Sequence, residues 1–188
     1  MGFWEAFTVS ALNVTSVVTT TGYASADYSH WGSAATVLFF FLTFVGGCSG
    51  STSGGIKIFR FQLCSLLLKN QIVKSIHPNA ALTTKYGGRL VSEDIIQSCV
   101  AFLFILMTTM ILLTFLLALT GLDFITSITG AATALMNVGP GLGDLIGPAG
   151  NFQHVSDPAK WLLCFGMLLG RLEFLAVMIL FTPTFWRG

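Results

Sequence analysis

The sequence predicts an all-α integral membrane fold in which spanning helices alternate with short re-entrant ones. Three observations carry this. Of the 188 residues, 54% are hydrophobic and only 9% are charged, against about a quarter charged in an ordinary soluble domain. Three stretches are apolar enough to cross a bilayer, one of them interrupted by glycine and serine. Two more, residues 7–18 and 124–135, are too short to cross and end in glycine-centred breaks.

Each element follows from its own residues. Residues 33–45, "SAATVLFFFLTFV", and 56–68, "IKIFRFQLCSLLL", are each shorter than the roughly 20 residues that span about 30 Å of hydrocarbon. Joined through "GGCSGSTSGG", residues 46–55, they make one crossing with an unwound centre. Open backbone at that depth is tolerated only where protein or a water-filled cavity satisfies it. Residues 96–120 form an uncharged span, and residues 159–182 a last one with Lys160 near its start and Arg171 and Glu173 in its middle. The glycines and proline of "NVGPGLG" exclude helix after residue 135, and no alternation of period two supports a strand.

Charge sets orientation. Lys57, Arg60, Lys69, Lys74, Lys85 and Arg89 all fall between the broken span and the uncharged one, which predicts a cytoplasmic loop there. Glu5, Asp27, Asp123, Asp144 and Asp157 then belong to the opposite face. Residues 124–144 enter from outside, break and return to the same side. The net charge of +1 gives no footprint for nucleic acid. Cys48, Cys64, Cys99 and Cys164 show neither metal-ligand nor disulfide spacing and read as small buried hydrophobes. The N-terminus has no basic region and no cleavage site, so no signal peptide is expected.

An internal repeat supports the re-entrant reading. Laying Gly22 on Gly139 aligns "FTVSALNVTSVVTTTGYASAD" with "FITSITGAATALMNVGPGLGD" without a gap, placing Phe7 on Phe124, Ser10 on Ser127 and Asp27 on Asp144. With extra residues in the outer loop, "FVGG" at 44–47 falls on "LLGR" at 168–171. The chemistry that such breaks serve is dehydration of a cation: a ring of backbone carbonyls replaces its water shell, which needs unusual backbone angles and close approach. Gly22 and Gly139 supply that freedom, and "TTTG" and "NVG" read as degenerate relatives of the potassium-channel filter pattern.

Together "TTTGY", "GGCSGSTSGGIK", "NVGPGLG" and "LLGRLEFL" resemble the Trk/Ktr/HKT superfamily of potassium transporters, in particular the bacterial Trk-type membrane subunit. The resemblance implies M1–pore helix–M2 repeats of potassium-channel type. Residues 1–68 would hold the pore helix, filter and broken M2 of a third repeat, 69–95 a basic cytoplasmic loop, and 96–188 the whole fourth repeat, as the C-terminal portion of a longer protein. It implies a filter containing Thr20, Thr21, Gly22, Tyr23, Asn137, Val138, Gly139 and Pro140. Below it would lie a gate of Gly46, Gly47, Ser49, Gly50, Ser51, Gly54, Gly55 and Arg171, and Asp27 and Asp144 would stand at the pore mouth. Potassium would be the substrate, with no cofactor in this chain. The setting would be the lipid bilayer of a bacterial inner membrane, as a homodimer with a cytosolic nucleotide-binding regulatory subunit.

Other readings explain less. Gly50 and Gly55 have phosphate-loop spacing, but Ile56 intervenes before Lys57 and Ile58 stands where Ser or Thr is needed. A plain linker at residues 46–55 would leave bare backbone in lipid. Asp27 and Asp144 read equally as solvated loop ends, and His30, His77 and His154 are not gathered into a metal site. Glu173 is badly placed to pair with Arg171 on the same helix, leaving the carbonyls of residues 46–55 and pore water as acceptors for Arg171. The alternative function is a secondary transporter with a midplane site at the broken helix; a non-transporting scaffold leaves the paired breaks unexplained.

Overall fold

The computed structural model describes residues 2–78, 84–172 and 183–186. Helices α1 (Phe3–Val18), α2 (Ser33–Phe44), α3 (Ile58–Ile76), α4 (Glu93–Leu119), α5 (Phe124–Met136) and α6 (Asp157–Arg171) follow in order, with a short terminal helix at Pro183–Trp186. Between α3 and α4 lies an antiparallel hairpin, β1 (Lys85–Tyr86) paired with β2 (Arg89–Leu90). The all-α reading holds, and the breaks fall where glycine demands them.

Among the described residues, α4 is the one helix long and apolar enough to cross a bilayer alone. It buries Cys99, Phe102, Leu106, Met110, Leu113 and Leu117, a stripe at spacings of three and four. Its other faces carry exposed Phe104, Ile111 and Phe115, as lipid contact requires. Asp123 caps α5, its carboxylate accepting the Thr126 N–H at 3.1 Å. Hydrogen bonds from Thr126, the hydroxyl first and then the backbone, hold the Asp123 carboxyl below its usual range.

Helix α5 is the centre of the packing. From Thr129 to Met136 every residue is buried, against α4, α6 and α2. Helix α1, its partner in the repeat, buries only Asn13, Ser16 and Val17. Lipid supplies no hydrophobic drive between helices, so close approach rests on small side chains. Gly166 and Gly170 of α6 provide it: a Cβ on Gly166 would lie 2.8 Å from Leu113 Cδ2, and one on Gly170 would sit on the Leu135 carbonyl oxygen.

One sequence expectation needs correction. Residues 69–95 are not one basic loop: α3 runs on past Leu68 to Ile76, and Lys85 lies in β1. The positive-inside pattern reports which side of the membrane a segment occupies, not whether it is helical. Helix α6 ends at Arg171, with Leu172 as its cap, so that arginine closes the described helix. Residues 173–182, Glu173 among them, lie outside the described residues.

Gly170→Leu should destabilise the protein by about 1–3 kcal/mol, the usual cost of overpacking. Gly2→Ala, with nothing within 4 Å, should leave stability unchanged. Thermal unfolding of the detergent-purified protein checks both.

Candidate functional site

The breaks after α1 and α5 share one backbone conformation. Thr20 has φ 55° and Asn137 φ 56°, and among the described residues they alone combine positive φ with a side chain. They stand at the offset that lays Gly22 on Gly139. Their hydrogen bonds repeat as well: Thr20 N–H donates to Val17 O at 3.1 Å and Asn137 N–H to Ala134 O at 3.2 Å. One residue on, Thr21 N–H donates to Ser16 O at 2.9 Å and Val138 N–H to Thr133 O at 3.1 Å. Asparagine tolerates the left-handed region, but β-branched threonine does not, and holding it there costs about 1–3 kcal/mol.

Beyond this turn the two segments touch. Gly22 has φ 82°, and a Cβ there would collide with the Val138 carbonyl oxygen; Gly139 has φ 116°. Return segments are pinned by polar groups on the short helices. Buried Asn13 donates to Ser25 Oγ at 3.0 Å and accepts from Ser25 N–H at 3.1 Å. Leu142, which aligns with Ser25, donates its N–H to Thr129 Oγ1 at 3.2 Å, one residue before the position that aligns with Asn13.

The segments differ in their anchoring. Gly139 N–H donates to Thr133 Oγ1 at 2.9 Å, whereas Gly22 N–H reaches only Ser16 O, at 3.5 Å. The Ser16 hydroxyl has no hydrogen-bond partner among the described residues. Thr20 Oγ1 instead accepts from Gly54 N–H at 2.9 Å and donates to Ser53 Oγ at 3.4 Å. Asn137 Nδ2 donates to Met167 O of α6 at 3.2 Å. Both side chains thus turn to neighbouring protein. Of the other predicted filter residues, Val138 is buried, Pro140 half-buried and Tyr23 exposed.

Residues 46–55 form a closed loop beneath these turns. Val45 and Ile56 bridge its neck, with Gly46 N–H donating to Ile56 O and Ile56 N–H to Phe44 O, both at 2.9 Å. Gly54 lies against the end of α5, where a Cβ would collide with the Met136 carbonyl oxygen. Gly47 N–H donates to Ser53 Oγ at 3.2 Å, Gly50 and Gly55 have positive φ, and Ser49 is exposed. The guanidinium of Arg171 donates to Thr52 O, a loop carbonyl as the sequence led us to expect. A cavity of about 250 Å³ opens here, lined by Ser51, Gly54, Lys57, Arg60 and Arg171 among others.

The family model for TrkH, a cation transport protein, matches residues 4–187. The chain belongs to the TrkH family of cation transport proteins. It is 58% identical to the Trk system potassium uptake protein TrkI of Halomonas elongata, over 98% of this chain and 37% of that one. It is 35% identical to TrkH of Vibrio parahaemolyticus, over 98% of this chain and 38% of that one. The crystal structure of that potassium transporter superimposes with a TM-score of 0.89 over 97% of this chain. The chain thus spans less than two-fifths of the length of these relatives.

Within this TrkH-family fold, Lys57 is the residue the sequence reading missed at the loop. Its ammonium donates to Ser51 O at 2.9 Å, to Ser51 Oγ at 3.4 Å and to Ser53 O. Charge counting assigned it to the cytoplasmic loop with Arg60, whose guanidinium stacks 3.8 Å above the Phe102 ring. No sequence pattern signals such a fold-back beyond its place directly after "GGI".

At the outer end, His30 stands between the two repeat-related acids, its Nδ1 3.0 Å from Asp27 Oδ2 and its Nε2 3.9 Å from Asp144 Oδ1. Asp27 also caps a turn through Ser29 N–H at 3.0 Å, while Asp144 is open to solvent. Tyr28 stacks on Phe39 at 4.0 Å, and burial, with Asp27 nearby, pushes its phenol up to about 12. Of the cysteines read as buried hydrophobes, Cys99 alone is buried; Cys64 is half-buried and Cys48 and Cys164 are exposed. Cys48 sits on the open loop and Cys164 on an outward face of α6, which composition alone does not reveal.

Lys57→Met should free Ser51 and Ser53 and loosen the loop. A cysteine placed at Ser51 should then react about tenfold faster with a water-soluble thiol reagent, in line with the loss of charge-assisted bonds worth about 1.5–3 kcal/mol.

Proposed function

We propose that this chain supplies two filter segments and the gate of a potassium-uptake pathway. The observation that carries the reading is the stacking order: two matching left-handed turns meet at Gly22 and Val138, directly above a glycine-rich loop held by two cations. Thr20, Thr21, Gly22 and Tyr23 on one side, and Asn137, Val138, Gly139 and Pro140 on the other, would form half of a carbonyl-lined filter. Gly46, Gly47, Ser49, Gly50, Ser51, Gly54 and Gly55 form the obstruction beneath it. The likeness to proteins named for potassium uptake supports potassium as the substrate.

Electrostatics gives the loop its closing force. A fixed guanidinium opposes a passing cation by about 4 kcal/mol at 4 Å in a medium of effective dielectric about 20. Arg171 and Lys57 therefore act twice, tying the loop through its carbonyls and raising the barrier for potassium. Asp27 and Asp144 draw cations to the outer mouth. On the same reading the protein works in the bacterial inner membrane as a dimer, and the cytoplasmic end of α3 with its hairpin faces the regulatory subunit.

The reading is tested in a four-repeat protein carrying this sequence, reconstituted in liposomes. Gly22→Ser and Gly139→Ser should each lower potassium-over-sodium discrimination by about tenfold, since strain of roughly 1.4 kcal/mol is a factor of ten. Unchanged discrimination in both would remove the filter assignment. Arg171→Ala should raise potassium flux; reduced or unchanged flux at normal expression would make the arginine purely structural. Asp27→Asn and Asp144→Asn should change mainly the salt dependence of ion access.

A further inference from the structure

The two filter segments are not held alike. The segment after α5 is tied to its own helix by Thr133 and to α6 by Asn137. The segment after α1 lacks the first tie, since the Ser16 hydroxyl is unpartnered among the described residues and Gly22 N–H reaches Ser16 O only at 3.5 Å. What it has instead is Thr20, a β-branched residue at φ 55°. Such a conformation persists only where its surroundings over-determine it. Here the side-chain partners are Gly54 N–H and Ser53 Oγ, both on the glycine-rich loop.

We infer that Thr20 is a positioning residue through which the glycine-rich loop sets the geometry of the filter, so that withdrawal of the loop loosens ion discrimination as it opens the path. The inference rests on the filter-and-gate reading above. Geometry closes the circuit. Thr20 reaches Ser53 and Gly54, the neighbouring carbonyl of Thr52 accepts from Arg171, Arg171 ends α6, and Met167 of α6 accepts from Asn137 in the other segment. The two left-handed residues of the repeat are therefore the two ends of one chain of contacts running through the loop. Moving the loop away breaks it at Thr20 and at Arg171 together. The second segment keeps its Thr133 tie, so the first carries the change.

The test uses the same reconstituted four-repeat protein, with potassium and sodium fluxes measured in parallel. Thr20→Val, which loses the hydroxyl but keeps the shape, should lower potassium-over-sodium discrimination and raise potassium flux, each by about fivefold, the scale of one hydrogen bond. Thr20→Ser should recover the discrimination lost in Thr20→Val. Ser53→Ala, made from the loop side, should reproduce part of the effect without touching the filter, and it serves if Thr20→Val is not obtained folded. With residues 50–54 deleted, Thr20→Val should add nothing further. An equal loss of discrimination in that background would mean the hydroxyl acts on the ion directly, and the coupling would be overturned. Unchanged flux and discrimination in both Thr20→Val and Ser53→Ala would overturn it too. Loss of discrimination in Gly22→Ser beside either result leaves the filter reading standing while the coupling falls.

Discussion

A helix that enters an apolar layer and stops there must hand its last carbonyls and the following N–H groups to some partner. Each short helix here meets that demand with one left-handed residue, Thr20 or Asn137, which turns the next N–H back onto Ser16 O or Thr133 O. The same turn reverses the chain and brings Gly22 against Val138. The contact between the two predicted filter segments is therefore a consequence of ending two helices inside the protein.

The loop at residues 46–55 answers the same demand differently. It has no helical ladder, so its polar groups are met by a bridged neck at Val45 and Ile56, by the Ser53 hydroxyl, and by three donors from elsewhere: Lys57, Arg171 and the end of the chain of contacts at Thr20. Charged donors suit this place because they make stronger hydrogen bonds to the loop carbonyls than neutral ones, and Lys57 and Arg171 both line the cavity beside the loop. Small residues make the approach possible. With Gly54 against Met136 and Gly170 against Leu135, the loop and α6 both rest on the carbonyl end of α5.

The sequence by itself determined the membrane setting, the positions where helices must break, the repeat offset and the need of Arg171 for an acceptor outside its own helix. These are local matters: apolar length, glycine and proline content, and the cost of an isolated charge act on the chain wherever it lies. Only the tertiary structure decided where side chains ended up. Lys57 reads as one more cytoplasmic cation until its ammonium is found among loop oxygens, and His30 as a loop histidine until α2 and the return after α5 set it between Asp27 and Asp144. Thr20 and Asn137 read as members of a carbonyl-lined filter, and the sequence leaves their side chains without partners; the structure sets these against the loop and α6, because what a polar group meets is fixed by the element packed opposite it.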